Sequence, residues 1–181
     1  MPLFIPGGAG EMTTRRIAYS GAVAALYAGV TIALAPISYG PVQFRISEVL
    51  CILPFFFPWS SWGLFIGCII ADLLSSYGIA DIIFGSAATL ISSLIVARLG
   101  ARGGTGARIC AVCMPPLFNG LLIGGVIAYM TSPGAFFASL IINGASVALG
   151  EAAVMFILAL PLSFLFPKTA LYRFLKNSVG F

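Results

Sequence analysis

Long apolar runs, separated by short clusters of glycine, proline and polar residues, predict six helices in this chain. The first covers Thr14 to Ala35 behind Arg15 and Arg16, and the breakers Pro36, Ser38, Gly40 and Pro41 end it. A second runs from about Arg45 to Phe57 and stops at Pro58; a third spans about Trp62 to Ser75. Tyr77-Gly78 separates the third from a fourth, Ile79 to Leu99, and a glycine-rich loop from Gly100 to Gly106 precedes a fifth, Ala107 to Met130. After the turn Ser132-Pro133-Gly134 the sixth, Ala135 to Phe166, is long enough to tilt or kink, with Pro161 marking a break near its end. At ~1.5 Å per residue the second and third helices reach only about 20 Å, short of a hydrocarbon core of ~30 Å. Short or broken helices leave a cavity, which is where transport proteins place binding sites.

Composition turns this helical chain into a membrane protein. Of 181 residues, 60% are hydrophobic and 8% charged, where soluble domains carry about 25% charged residues. The expectation is an all-α, polytopic membrane protein: a flexible leader over residues 1–13, a single six-helix transmembrane bundle over 14–166 with an outward-facing pocket, and a basic tail over 167–181. The first apolar run lacks a small-residue cleavage pattern, so it reads as a retained helix and not a secretory signal. Threading the helices alternately across the bilayer collects Arg15, Arg16, Arg98, Arg102, Arg108, Lys168, Arg173 and Lys176 on one side. The positive-inside rule makes that side, with both termini, cytoplasmic. The net charge of +4 therefore reports orientation and not nucleic-acid binding. Arg45 alone falls on the outer side.

Candidate chemistry gathers at the same outer end. The stretch Gly40-Pro41-Val42-Gln43-Phe44-Arg45-Ile46-Ser47-Glu48 sets a basic and an acidic residue three apart, beside an amide, between apolar runs. Asp72 near the end of the third helix and Asp81 in the first turn of the fourth add carboxylates. Glu151 lies near the middle of the sixth helix, with Asn143 two turns further out and Asn119 at the middle of the fifth. An ionised side chain at membrane depth costs ~2.5 to 3.5 kcal/mol, so such groups face the protein interior or water and have a partner. Arg45 can neutralise one carboxylate, which leaves a pocket with surplus negative charge, suited to a small cationic or amine-bearing molecule. Asp72 and Asp81 as helix-end caps, and Glu48 as the partner of Arg45 in an intrahelical pair, are the alternatives. Tyr39, Phe44 and Tyr77 are aromatic candidates for stacking on a flat ligand, whereas Trp59 and Trp62 read as interfacial anchors.

Two further patterns matter. Small residues on the first helix, Ala18, Gly21, Ala22 and Ala25, permit close helix approach, within the bundle or to another subunit. Enzyme motifs fail: the chain has no histidine, Cys110-x-x-Cys113 has no second pair, and Gly100 to Gly106 lack the Lys-Ser/Thr of a phosphate loop. No metal, cofactor or catalytic centre is expected, and an ATPase would have to be a separate subunit. Cys51, Cys68, Cys110 and Cys113 sit in apolar runs and read as small hydrophobes.

Several segments resemble a known family. Ala24-Ala25-Leu26-Tyr27, the loop Ala35-Pro36-Ile37-Ser38-Tyr39-Gly40-Pro41-Val42-Gln43-Phe44-Arg45-Ile46-Ser47-Glu48, Leu53-Pro54, Gly67-Cys68-Ile69-Ile70-Ala71-Asp72 and Asp81-Ile82-Ile83-Phe84-Gly85-Ser86 look like the queuosine-precursor group of S components. These are the substrate-binding subunits of energy-coupling factor transporters, bacterial importers of vitamins and cofactors. The resemblance implies a six-helix subunit in a bacterial membrane that captures its ligand beneath the loop between helices one and two. It also implies association with a transmembrane coupling subunit and two ATPases, docked through the small residues of helix one. The substrate implied is a deazapurine, the aminomethyl-deazaguanine base. Glu48, Asp72, Asp81 and Glu151 are then the acceptors, with Gln43, Asn119 and Asn143 completing the edge. Arg45 would orient Glu48 or Asp81, or meet the substrate carbonyl. Another vitamin such as thiamine, biotin or riboflavin, or a self-sufficient carrier or channel, are the competing readings. A membrane enzyme acting on lipids would need a nucleophile or base that the chain lacks.

Overall fold

The computed structural model describes residues 14–39 and 43–179. The predicted leader over 1–13 and Gly40, Pro41 and Val42 of the opening loop lie outside the described residues. Among the described residues there is no strand.

Helix α1 (Thr14–Ala33) ends one residue before Leu34, and a separate short α2 (Ala35–Ser38) follows. Pro36, expected as a terminator, sits in the first turn of α2, where its missing N–H costs nothing. The second predicted helix is not α-helical: Ile46–Phe55 is a ten-residue 3-10 helix. At ~2.0 Å per residue this tighter coil covers about 20 Å, the same distance as the thirteen residues of α3 (Ser60–Asp72). Next come α4 (Ile79–Arg102) and α5 (Gly104–Thr131). The loop expected from Gly100 to Gly106 contracts to one residue, because Gly103 and Gly104 take φ of 65° and 83°, which only glycine adopts without strain. The sixth predicted helix is α6 (Phe136–Val154), a π turn (Met155–Ala159) and α7 (Leu160–Leu165) in succession. The irregularity anticipated at Pro161 is thus placed in the turn before it, where the proline ring would otherwise crowd the preceding carbonyls. The basic tail forms a further helix, α8 (Ala170–Val179).

Four of these segments are long and apolar enough to cross a membrane: Thr14–Ala33, Ile79–Arg102, Gly104–Thr131 and Pro133–Lys168; Ile46–Phe55 and Ser60–Asp72 are shorter apolar helices. Neighbours in sequence run back and forth beside one another. Tyr27 meets Glu48, Thr89 meets Cys68, and Asn119 meets Glu151. Close packing of α5 on α6 depends on glycine, since a Cβ on Gly120 would lie 2.9 Å from the Gly144 carbonyl oxygen. The two ends of the bundle differ in kind. Around Phe56, Phe57, Phe166 and Tyr172 the core is aromatic, with ring centroids 5.5 Å apart for Phe56 and Phe166. Towards the start of the 3-10 helix it becomes polar and charged.

Candidate functional site

The 3-10 geometry builds the site's first wall. With three residues per turn, side chains at i and i+3 eclipse, so Glu48 and Cys51 stack on one edge of Ile46–Phe55, and both are buried. Arg45, the residue before the helix, has an extended backbone (φ −78°, ψ 90°). This turns its side chain away from Glu48 and into the bundle, where it is wholly inaccessible.

There the Arg45 guanidinium lies between two aspartates from different helices. Nη2 donates to Asp72 Oδ1 at 3.1 Å and stands 3.7 Å from Asp81 Oδ2. Gly85 of α4 makes the approach possible, because a Cβ there would come within 2.6 Å of Asp72 Oδ2. Neutral donors hold the carboxylates from behind. Cys68 Sγ donates to Asp72 Oδ2 at 3.2 Å and is itself approached by the Thr89 hydroxyl at 3.3 Å; Ser75 Oγ donates to Asp81 Oδ2. Tyr39 stacks over the guanidinium with 5.5 Å between Cζ and ring centroid, and its hydroxyl donates to the Ala71 carbonyl at 2.6 Å. Burial pushes that hydroxyl up to about 12 against the opposing pull of Arg45, so it stays a donor.

A second group of acceptors is formed by Glu48 and Glu151. Glu48 Oε1 accepts from the Tyr27 hydroxyl and Oε2 from Cys51 Sγ at 3.0 Å. The Asn119 amide nitrogen donates to both oxygens of Glu151, each at 2.9 Å. Glu48, Tyr27, Cys51, Asn119 and Glu151 are all buried. Four buried carboxylates (Glu48, Asp72, Asp81, Glu151) thus share one buried cation, Arg45. Several polar atoms of the cluster are buried without a hydrogen-bond partner among the described residues: Arg45 Nε and Nη1, Gln43 Oε1, Asp81 Oδ1 and Asn119 Oδ1. Native interiors leave few such atoms, since each costs about 1 to 3 kcal/mol, more when charged. These atoms keep donor and acceptor capacity that the described residues do not use.

Comparison with known proteins decides the class. The family model described as QueT transporter matches residues 17–168. The chain belongs to the QueT transporter family. A curated relative, the queuosine precursor transporter QueT of Lactococcus lactis subsp. cremoris (strain MG1363), is 44% identical over 71 residues, which is 38% of this chain and 41% of that relative. No solved structure matches the chain. A QueT-family member with several long apolar helices, the protein is a multi-pass membrane protein.

Within this family member, seven of the eight candidate ligand residues are buried: Gln43, Arg45, Glu48, Asp72, Asp81, Asn119 and Glu151. Asn143 is the exception. It is half-buried, and its amide donates to the carbonyl and hydroxyl of Ser139 in its own helix. The intrahelical Arg45–Glu48 pair does not form, because the extended backbone at Arg45 sends the guanidinium to the aspartates. Asp81 sits in the first turn of α4, as its helix-end reading requires, without a side-chain cap hydrogen bond, and its carboxylate also faces Arg45. Of the aromatic candidates, Tyr39 reaches the cluster, Phe44 is 41% exposed, and Tyr77 packs on Ile123, Ile127 and Val147. Trp59 packs between Tyr19 and Phe57, and Trp62 is half exposed.

Tyr27, Cys51, Cys68 and Ser75 were not anticipated as site residues. Both cysteines, read as small hydrophobes, use their thiols as donors to Glu48 and Asp72. The signal was present in the spacing, Glu48 to Cys51 and Cys68 to Asp72, one helical turn in each case. On α1 the small residues Ala18, Gly21, Ala22 and Ala25 are all exposed, and a Cβ on Gly21 would meet nothing within 4 Å. That stripe is unused by the bundle's own packing.

Proposed function

We propose that this protein is the substrate-binding subunit of an ATP-driven importer. In this reading it spans the membrane six times with both termini cytoplasmic and captures a queuosine precursor, an aminomethyl-deazaguanine or related deazapurine, from outside. The observation that carries the reading is the buried Arg45 between Asp72 and Asp81 with unpartnered atoms on both sides of the charge pair. A guanine-like edge carries a carbonyl beside ring and exocyclic N–H donors. Arg45 Nε and Nη1 are free to donate to the carbonyl, and Asp81 Oδ1 and Gln43 Oε1 to accept from the N–H groups. Family membership and the name of the Lactococcus lactis relative support the same substrate class. The basic residues at the aromatic end, with Arg15 donating to the Ser178 carbonyl at 3.0 Å, support a cytoplasmic assignment for that end.

No phosphate-binding loop exists in the chain, so ATP hydrolysis belongs to partner subunits, reached through a transmembrane coupling protein. The exposed stripe of Ala18, Gly21, Ala22 and Ala25 supports α1 as the docking face. Calorimetric titration of the purified protein with the aminomethyl base tests the substrate. Tight binding to wild type and a loss of about tenfold or more in Asp81→Asn are expected. Binding of thiamine, biotin or riboflavin in its place would overturn the substrate while sparing the fold. For docking, Ala25→Trp should keep ligand affinity and abolish pull-down of the coupling subunit. Undiminished pull-down would reassign the stripe to lipid contact.

A further inference from the structure

The four buried carboxylates are not equivalent, and the difference assigns the two ends of a ligand. Asp72 and Asp81 share the Arg45 guanidinium. Glu48 and Glu151 are hydrogen-bonded by uncharged groups: the Tyr27 hydroxyl, the Cys51 thiol and the Asn119 amide. Neither has an ion pair within 4 Å among the described residues. A buried carboxylate without a cation is costly, and a bound cation relieves that cost. Beside Glu151, Asn119 is almost wholly buried and its Oδ1 has no partner among the described residues. The deep end of the cluster therefore offers carboxyl and amide oxygens as acceptors. The unpartnered atoms of the outer end, Arg45 Nε and Nη1 with Asp81 Oδ1, mix donors and acceptors.

We propose that Glu48, Glu151 and Asn119 Oδ1 form a subsite for the ligand's ammonium group, while Arg45 and Asp81 hold the uncharged lactam edge. A primary ammonium has three N–H donors, and these three residues supply an acceptor each. Placed at the outer end, the same cation would meet the unpartnered donors of Arg45 and be repelled. The deep pair consequently sets selectivity for an amine over a neutral substituent, and the outer pair sets affinity for the heterocycle. The inference rests on the deazapurine reading and refines it.

Two ligands separate the ends: the deazaguanine base bearing an aminomethyl group, and the same base bearing a nitrile. Both are titrated into purified wild type, Glu151→Gln, Glu48→Gln and Asp81→Asn, with thermal melting of each unliganded variant to establish folding. Wild type should prefer the amine by about tenfold or more. Glu151→Gln should weaken the amine by a similar factor and leave the nitrile within about threefold, erasing the preference. Glu48→Gln should do the same, which covers the case of one variant failing to fold. Asp81→Asn should weaken both bases by a like factor and keep the preference. A preference that survives both glutamate substitutions and disappears in Asp81→Asn would overturn the assignment by reversing it. Equal loss of both bases in the glutamate variants would overturn it by making the pair a general support. If neither base binds wild type, the deazapurine reading falls and takes the assignment with it.

Discussion

Two arginines inside this bundle meet opposite surroundings. Arg45, at the polar end, is wholly buried between Asp72 and Asp81 under the ring of Tyr39, with Nε and Nη1 unpartnered among the described residues. Arg108, at the aromatic end, lies over Phe55, Phe56 and Phe164 at 5.4, 5.6 and 4.8 Å from their centroids, and its Nη1 donates to the Ser163 carbonyl. The second arrangement pairs a weakly hydrated planar cation with ring faces and needs no counter-charge. It ties the end of the 3-10 helix to α7 and so closes the bundle. The first draws charges from three segments of the chain and leaves hydrogen-bonding capacity unspent. One arginine uses its contacts on the fold; the other keeps donors to spare.

Arg45→Ala strikes hardest at this contrast. Removing the guanidinium leaves Asp72 and Asp81 buried without their cation, which should cost about 3 to 5 kcal/mol of stability together with ligand binding. Thermal melting in detergent and calorimetry would register both losses, and a variant that still bound the base at wild-type affinity would dissolve the contrast. Arg108→Ala should cost about 1 to 3 kcal/mol through lost ring and carbonyl contacts. Its ligand affinity should stay within about twofold, so a large affinity change with an unchanged melting temperature would show that the aromatic end belongs to the site. The smallest effect is expected at Asn143. Because its amide is bonded within its own helix, Asn143→Ala should change affinity by less than about threefold. A loss comparable to that of Asp81→Asn would bring Asn143 back into the ligand shell.

Much of the site could be read from residue types alone. Charges at membrane depth are expensive, so each buried acid in an apolar run announces a partner or a task, and Glu48, Asp72, Asp81 and Glu151 are all buried where that argument puts them. Asn119 was noted as an amide at mid-helix, and it donates to Glu151. Tyr27 and the two thiols escaped because tyrosine and cysteine are at home in apolar helices and carry no such cost. Their roles exist only once Tyr27 of α1 faces Glu48 of the 3-10 helix across 21 residues of sequence.

By itself the sequence determined the class of the molecule. Apolar run length, the scarcity of charge and the placement of the basic residues are local properties, and they dictate a helical membrane protein in which Arg45 is the cation that falls among the acids of the apolar runs. Which acid meets Arg45 was decided by tertiary structure. Spacing favoured Glu48, three residues on, and the family resemblance Glu48 or Asp81; Asp72, which accepts from Arg45 at 3.1 Å, was not singled out as its partner. The physical reason is one backbone angle and one coil: the extended conformation at Arg45 and the 3-10 winding after it separate the neighbours in sequence. The open face of Gly85 then lets a carboxylate from another helix take the place beside the guanidinium.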